Sequence, residues 1–292
     1  MTSEESPADA AVAPGSGAVP TELDTWAPVR IDTSVAHPAR MYDYYLGGKD
    51  NFPADREAAE RIITMGADVR EGARTNRAFL GRAVRYLSSL GVDQFLDIGT
   101  GIPSAGNTHE IAQSVNPAAR VVYVDNDPIV LAHARALMAG HGKGATTVVQ
   151  ADLREPAAIL ADPRVRAALD FDRPIALMLV AVLHFITDDE NPGAIIKTLG
   201  DALPGGSYLV VSHGTEDGIV QQRRPGLDEA VDVYRNRSTA ALTLRGKAAV
   251  TELFDGFPLV EPGLVAGQDW HPDEATPPAT MLTVYGGVGR KA

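Results

Sequence analysis

The chain has 292 residues, 45% of them hydrophobic and 22% charged, which suits one large globular domain or one domain with an added lobe. It contains no cysteine, which excludes disulfides, thiolate metal sites and cysteine nucleophiles. A formal net charge of −12 argues against a broad nucleic-acid or anionic-lipid face.

No apolar run approaches the about 18 residues that a spanning helix needs. The first residues, MTSEESPADAAVAPGSG, lack a basic stretch followed by an apolar core, so a cytoplasmic location is expected. Residues 1–24 are rich in Ala, Pro, Gly, Ser and acid. They bury too little apolar area to offset ordering and are expected to be a disordered tail. Residues 25–92 are expected to form an N-terminal helical lobe. Asp55 suits the start of one helix. Residues 75–90 carry Ala78, Phe79, Ala83, Val84 and Leu87 at helical spacing, and Gly91 suits the stop.

From Asp93 the period changes. Strands are expected at 94–98, 119–124, 146–151, 175–184 and 207–212. Helices are expected at 107–115, 128–140, 155–169 with a break near Pro163, 192–202 and 243–254. Residues 213–237 read as a polar segment. Late strands at 259–265 and 280–288 have no helix between them and are expected to pair antiparallel. Strands alternating with helices predict an α/β fold with a doubly wound parallel sheet.

Ligands of such sheets sit beyond the carboxyl ends of the strands. The first strand ends Asp97-Ile98-Gly99-Thr100-Gly101. The glycines admit a ligand close to the backbone, and the next helix start offers N–H groups to a carboxylate. Asp97 can accept from an ammonium. S-adenosylmethionine (SAM) carries both groups on its methionine end. Alone, this loop also fits another nucleotide or a structural tight turn. Against a dinucleotide, the third glycine of G-x-G-x-x-G is missing, because Ser104 stands there.

The second strand ends at Asp125, 28 residues after Asp97, where an acid can accept from both ribose hydroxyls. Asn126 beside it is a candidate cofactor contact, while Asp127 suits a cap on the helix opened by Pro128. The third strand leads into Asp152-Leu153, whose carboxylate and N–H match the adenine amino group and ring nitrogen. Three acids in register are far more specific than any one of them. They favour adenosine with a zwitterionic tail, and hence SAM.

The sequence resembles an actinobacterial family of SAM-dependent methyltransferases formerly catalogued as a domain of unknown function. The resemblance runs from about Ile31 to Lys291 and rests on HPARMYDYYLGGKDNFPADREA (37–58), QFLDIGTGIPSAGNTHE (94–110), ARVVYVDNDPIVLAHARALM (119–138), PIALMLVAVLHFI (174–186) and FDGFPLVEPGL (254–264). It implies the seven-stranded class I methyltransferase fold, with a SAM-binding domain over 93–292. It also implies Asp97, Gly99, Thr100 and Gly101 on the methionine end, Asp125 on ribose and Asp152 near adenine. The methyl acceptor is left undefined.

On the acceptor side the fourth strand runs into Ala181-Val182-Leu183-His184-Phe185. It lacks the N/D-P-P-Y/F sequence with which methyltransferases hold a planar nitrogen of a DNA base or protein amide. A small-molecule acceptor is expected instead, with no nucleic-acid or membrane partner. His184 and His213 are candidate catalytic bases, each weighed against a wall residue bonded to backbone. Methyl transfer can also proceed by proximity alone. The segment from Arg40 to Phe52, with three tyrosines, Gly47-Gly48 and Lys49, reads as a lid or as a capped helix end. Tyr45 and Lys49 are its candidate pocket contacts. Arg74, Asn76 and Arg77 suit either the cofactor carboxylate or solvent. Asp188-Asp189-Glu190 reads as a solvated loop rather than a metal site. Two rivals stand beside the enzyme: a SAM-binding sensor or scaffold without turnover, and a nicotinamide-dependent oxidoreductase.

Overall fold

The computed structural model describes residues 32–104, 106–138, 145–218, 224–274, 276 and 282–292. The expected tail at 1–24 lies outside them. Residues 31–292 form one compact unit. Among the described residues no helix is long and apolar enough to cross a membrane.

Seven strands make one sheet in the order β3-β2-β1-β4-β5-β7-β6. Five of them are parallel: β1 (Gln94–Ile98), β2 (Arg120–Asp125), β3 (Thr146–Gln150), β4 (Ala176–Val180) and β5 (Tyr208–Gly214). β7 (Val284–Arg290) runs antiparallel between β5 and β6 (Val265–Ala266). Every residue of β1 and β4 is buried, as central strands covered on both faces require. The strand order reverses between β1 and β4, so their outgoing loops part and leave a crevice at their carboxyl ends.

Side-chain alternation sends the two faces of the sheet into two cores. One joins Leu96, Ile98, Val122, Leu177 and Leu179 to α6 (Pro156–Ala161), α7 (Pro163–Ala168), α8 (Pro192–Asp201) and α10 (Lys247–Glu252). The other joins Phe95, Val121, Ala176 and Met178 to Phe79, Leu80, Val84 and Leu87 of α3 (Val69–Ser89). The long helix of the expected N-terminal lobe therefore lies on the sheet itself. Gly286 of β7 makes this approach possible, since a Cβ there would stand 2.7 Å from Phe79.

A third core holds α1 (Pro38–Tyr45) and α2 (Pro53–Thr64) against α9 (Arg224–Arg237). α4 (Thr108–Val115) and α5 (Pro128–Met138) follow β1 and β2.

The element boundaries differ from expectation in four informative places. α9 occupies part of the segment read as polar. Only Ala230, Val233 and Tyr234 of it face the core, a stripe too thin to stand out among charges. α10 starts after Gly246 rather than at Thr243, because Asp217, 30 positions upstream, accepts the Lys247 N–H. β6 is two residues long and shares only Val265 with the strand expected at 259–265, and β7 pairs with β5 as well as β6. β4 ends at Val180: Ala181 has φ +55, and 183–185 form a 3-10 turn. His184 thus sits on a turn, not a strand.

Candidate active site

The end of β1 opens into a glycine cradle. Gly99 and Gly101 have φ +75 and +65, the region that only glycine occupies without strain. A Cβ on Gly99 would stand 2.4 Å from Val182 Cγ2, so the residues after β4 roof the first glycine directly. Asp97 is buried and accepts Thr108 Oγ1 at 2.6 Å. Burial pushes its carboxyl up to about 6, against the opposing pull of Thr108 and of the Arg77 charge. Thr100 Oγ1 is buried without a hydrogen-bond partner, a polar vacancy at the middle of the loop.

Asp125 closes the second side. Its Oδ2 accepts the Gly101 N–H and its Oδ1 the Asp127 N–H, both at 2.9 Å. Burial is again the largest influence and lifts its carboxyl to about 6. A carboxylate has about four lone-pair positions, and the Asn126 N–H also acts on this one, which leaves room for a further donor. Asp127 accepts the Ile129 N–H at 2.9 Å, as a helix-start residue should.

Asp152 lies half-buried beyond β3. It accepts the Arg154 N–H at 2.9 Å and Asn126 Nδ2 at 3.2 Å. Burial raises its carboxyl, but these bonds and the Arg154 charge outweigh burial and hold it below the ordinary range. Leu153 is buried beside it. Asp97, Gly99, Thr100, Gly101, Asp125, Asn126, Asp152 and Leu153 therefore stand together at three neighbouring strand ends. Their chemistry fits SAM: two buried acids, a cradle open to a backbone-hugging ligand, an unsatisfied hydroxyl and a third acid. Among the described residues no group of three His, Asp or Glu is placed to hold a metal ion.

Beyond the end of β4, two histidines lie ring to ring at 5.5 Å. His213 is fully buried. Its Nδ1 faces Gly214 O at 2.7 Å and its Nε2 faces Arg245 Nη1 at 2.9 Å. The guanidinium can only donate, so Nε2 is the acceptor and Nδ1 carries the proton. Burial drives this imidazole down to about 4. With both nitrogens engaged it has no lone pair for an incoming proton, which corrects the expectation of a base there. His184 Nδ1 accepts the Gly214 N–H at 3.2 Å. Burial first, and then His213 and Arg245, hold it well below the ordinary imidazole value. It is neutral and presents an Nε2–H, a donor rather than a base.

Tyr45 and Lys49 do not join the strand ends. Tyr45 is buried, and its hydroxyl lies 3.3 Å from that of Tyr234 on α9. Lys49 is exposed. Asp43 explains this loop: it accepts the Asp50 N–H at 2.9 Å and Asn51 Nδ2 at 2.7 Å, folding residues 46–51 back on α1. Arg74 is exposed, while Arg77 donates to Gly106 O at 2.9 Å, beside the cradle.

The family described as S-adenosyl methyltransferase matches residues 24–292. This chain belongs to it. A protein of the DUF574 family from Streptomyces avermitilis is 44% identical, with a TM-score of 0.85 over 90% of this chain and 100% of that one. A candidate methyltransferase from Thermobifida fusca is 41% identical, with a TM-score of 0.82 over 91% and 99%. No curated protein matches the chain. The chain is thus a methyltransferase with SAM as its cofactor, and its seven-stranded sheet with antiparallel last strands is that of the class I enzymes.

Several residues of the methyltransferase site escape a reading of the sequence. Thr108 is legible only as a helix start next to the cradle. Arg245 carries no local signal at all, yet it donates to Leu183 O at 3.1 Å, Ile186 O at 2.8 Å and Asp188 Oδ1 at 2.6 Å. It thereby pins the turn after β4. The acidic run is solvated only in part, since Asp188 meets Arg245 and Glu190 meets Arg154.

Proposed function

We propose that this methyltransferase transfers a methyl group from SAM to an oxygen or nitrogen of a small-molecule acceptor. The observation that carries the reading is the surround of His184: Phe185 lies 4.4 Å away and Tyr234 lies 5.4 Å from Phe185, ring to ring, with Leu242 part-buried in the same cluster. An aromatic, mostly apolar wall with one neutral N–H donor suits a compact ligand better than a charged polymer. It also contains no N/D-P-P-Y/F sequence.

Each strand end has a role in this reading. Asp97 meets the cofactor ammonium, Gly99 to Gly101 admit its carboxylate end and Thr100 Oγ1 donates to it. Asp125 accepts from the ribose hydroxyls. Asp152, oriented by Asn126, accepts from the adenine amino group, and Leu153 covers the ring. Bound SAM supplies a methyl group on a positively charged sulfur. The protein would then hold the acceptor in line with the methyl group, with His184 donating to it; an acceptor lone pair would form the new bond to the methyl as the methyl–sulfur bond breaks to leave S-adenosylhomocysteine, and the acceptor's proton would pass to solvent. Residues 38–52 close the cofactor edge as a lid, with Tyr45 as a wall residue.

Calorimetry with S-adenosylhomocysteine, the demethylated product, tests the cofactor site. Transfer of labelled methyl from SAM into cell-extract metabolites tests turnover. Binding with label in small molecules supports the reading. Label in nucleic acid or protein overturns the acceptor, and binding without transfer favours a sensor.

The two raised carboxyls make a pH prediction. In the free protein Asp97 and Asp125 hold protons more tightly than in the unfolded chain, from the ordinary carboxylate range up to about 6. Their contribution to free-protein stability is therefore largest below that window and falls as pH rises through it. Cofactor binding uses the ionised forms and has the opposite sign. S-adenosylhomocysteine affinity is expected to fall about tenfold or more from pH 7 to pH 5, measured by calorimetry at constant ionic strength. A flat profile would contradict these roles.

A further inference from the structure

A buried chain of hydrogen bonds runs from the N-terminal helices to the end of β4. Tyr42 of α1 donates to Ala73 O at 3.0 Å and accepts Asn76 Nδ2 at 2.8 Å. Asn76 Oδ1 accepts the Ser212 hydroxyl of β5. Ser212 Oγ in turn accepts the Ala181 N–H at 2.9 Å, and Ser212 O lies 3.2 Å from the same nitrogen. Asn76 and Ser212 are both buried.

The chain ends on a strained residue. Ala181 has φ +55, a conformation that a residue with a Cβ adopts only when its surroundings impose it. The turn it makes delivers Val182 onto Gly99, where no Cβ would fit. It also starts the 3-10 turn that carries His184.

We propose that Ser212 and Asn76 are positioning residues for cofactor binding, holding Ala181 in its left-handed conformation so that Val182 closes the cofactor cradle over Gly99. The proposal rests on the reading of Gly99 as part of the SAM site. Neither residue touches the cofactor in this account. Each acts through Ala181, and Tyr42 makes the helix above the site part of the same network.

Five variants test it by S-adenosylhomocysteine calorimetry: Ser212→Ala, Ala181→Gly, the double variant of these two, and Tyr42→Phe without and with Ala181→Gly. Ser212→Ala is expected to weaken binding about tenfold, since the left-handed alanine keeps only its longer bond to the backbone carbonyl of residue 212. Ala181→Gly alone stays within about threefold of the parent, because glycine holds φ +55 unaided. In the double variant glycine restores binding to within about threefold of the parent, although its melting temperature does not recover. Such rescue separates positioning from simple loss of a buried bond. Should Ser212→Ala fail to fold, Tyr42→Phe weakens the far end of the chain, and adding Ala181→Gly to it restores the affinity lost. Unchanged binding in Ser212→Ala, or a double variant as weak as Ser212→Ala, overturns the relay and leaves the cofactor site standing. A parent protein that binds no S-adenosylhomocysteine overturns the cofactor site and the relay with it.

Discussion

Asp125→Ala weakens S-adenosylhomocysteine binding at least about a hundredfold. Hydrogen bonds to a charged acceptor contribute about 1.5–3 kcal/mol each, and in the proposed site two ribose hydroxyls meet this carboxylate, so the loss spans two or more orders of magnitude. The substitution also frees the Gly101 N–H from its 2.9 Å bond, which loosens the cradle itself. Asp125→Asn separates the two effects. Its amide oxygen can keep one acceptor position, but the NH2 faces a donor and the charge is gone. Its affinity is expected between those of the parent and the alanine variant, and it should no longer depend on the titration of this residue near pH 6. Calorimetry on all three proteins between pH 5 and pH 8 gives the answer. An alanine variant that binds within threefold of the parent would remove Asp125 from the site.

Arg245→Ala destabilises the fold by about 4 kcal/mol, since each buried acceptor left without its donor costs about 1–3 kcal/mol and the exposed carboxylate of Asp188 adds little. The arginine is buried, and its guanidinium serves two carbonyls, a histidine nitrogen and a carboxylate. Leu183 O, Ile186 O and His213 Nε2 would each lose their donor inside the protein. In a domain of this size the loss corresponds to a drop of about 10 °C in melting temperature. Lysine in its place recovers only part of this, since an ammonium cannot reproduce a planar fork across four acceptors. The turn bearing His184 loosens in both variants, so methyl transfer is expected to fall further than cofactor binding. A melting temperature within 2 °C of the parent would contradict this account.

The strand ends at which the cofactor site is proposed were largely legible in the sequence, and for a physical reason. A parallel strand covered on both faces must be apolar throughout, so an acid or glycine that interrupts it marks the strand's end. Asp97, Asp125 and Asp152 each punctuate a strand in this way, and β1 was expected at its observed limits, 94–98. The acceptor side was not legible, because there the partners of each side chain come from distant segments. Nothing local to His213 announces that Arg245 fills its second nitrogen. Nothing local to Tyr45 announces Tyr234, 189 positions away.

Sequence by itself determined the class of fold, the cradle and the three acids, because periodicity and strand ends are properties of contiguous residues. It also led to SAM, since the spacing of those strand ends follows the length of one strand-helix-strand unit. Tertiary structure alone decided which groups are still free to act. It closed His213 on both nitrogens and turned His184 into a donor. It left Lys49 exposed and set Ala181 in a conformation that its own backbone disfavours. Those outcomes depend on burial and on hydrogen bonds between segments far apart in the chain, which no window along the sequence contains.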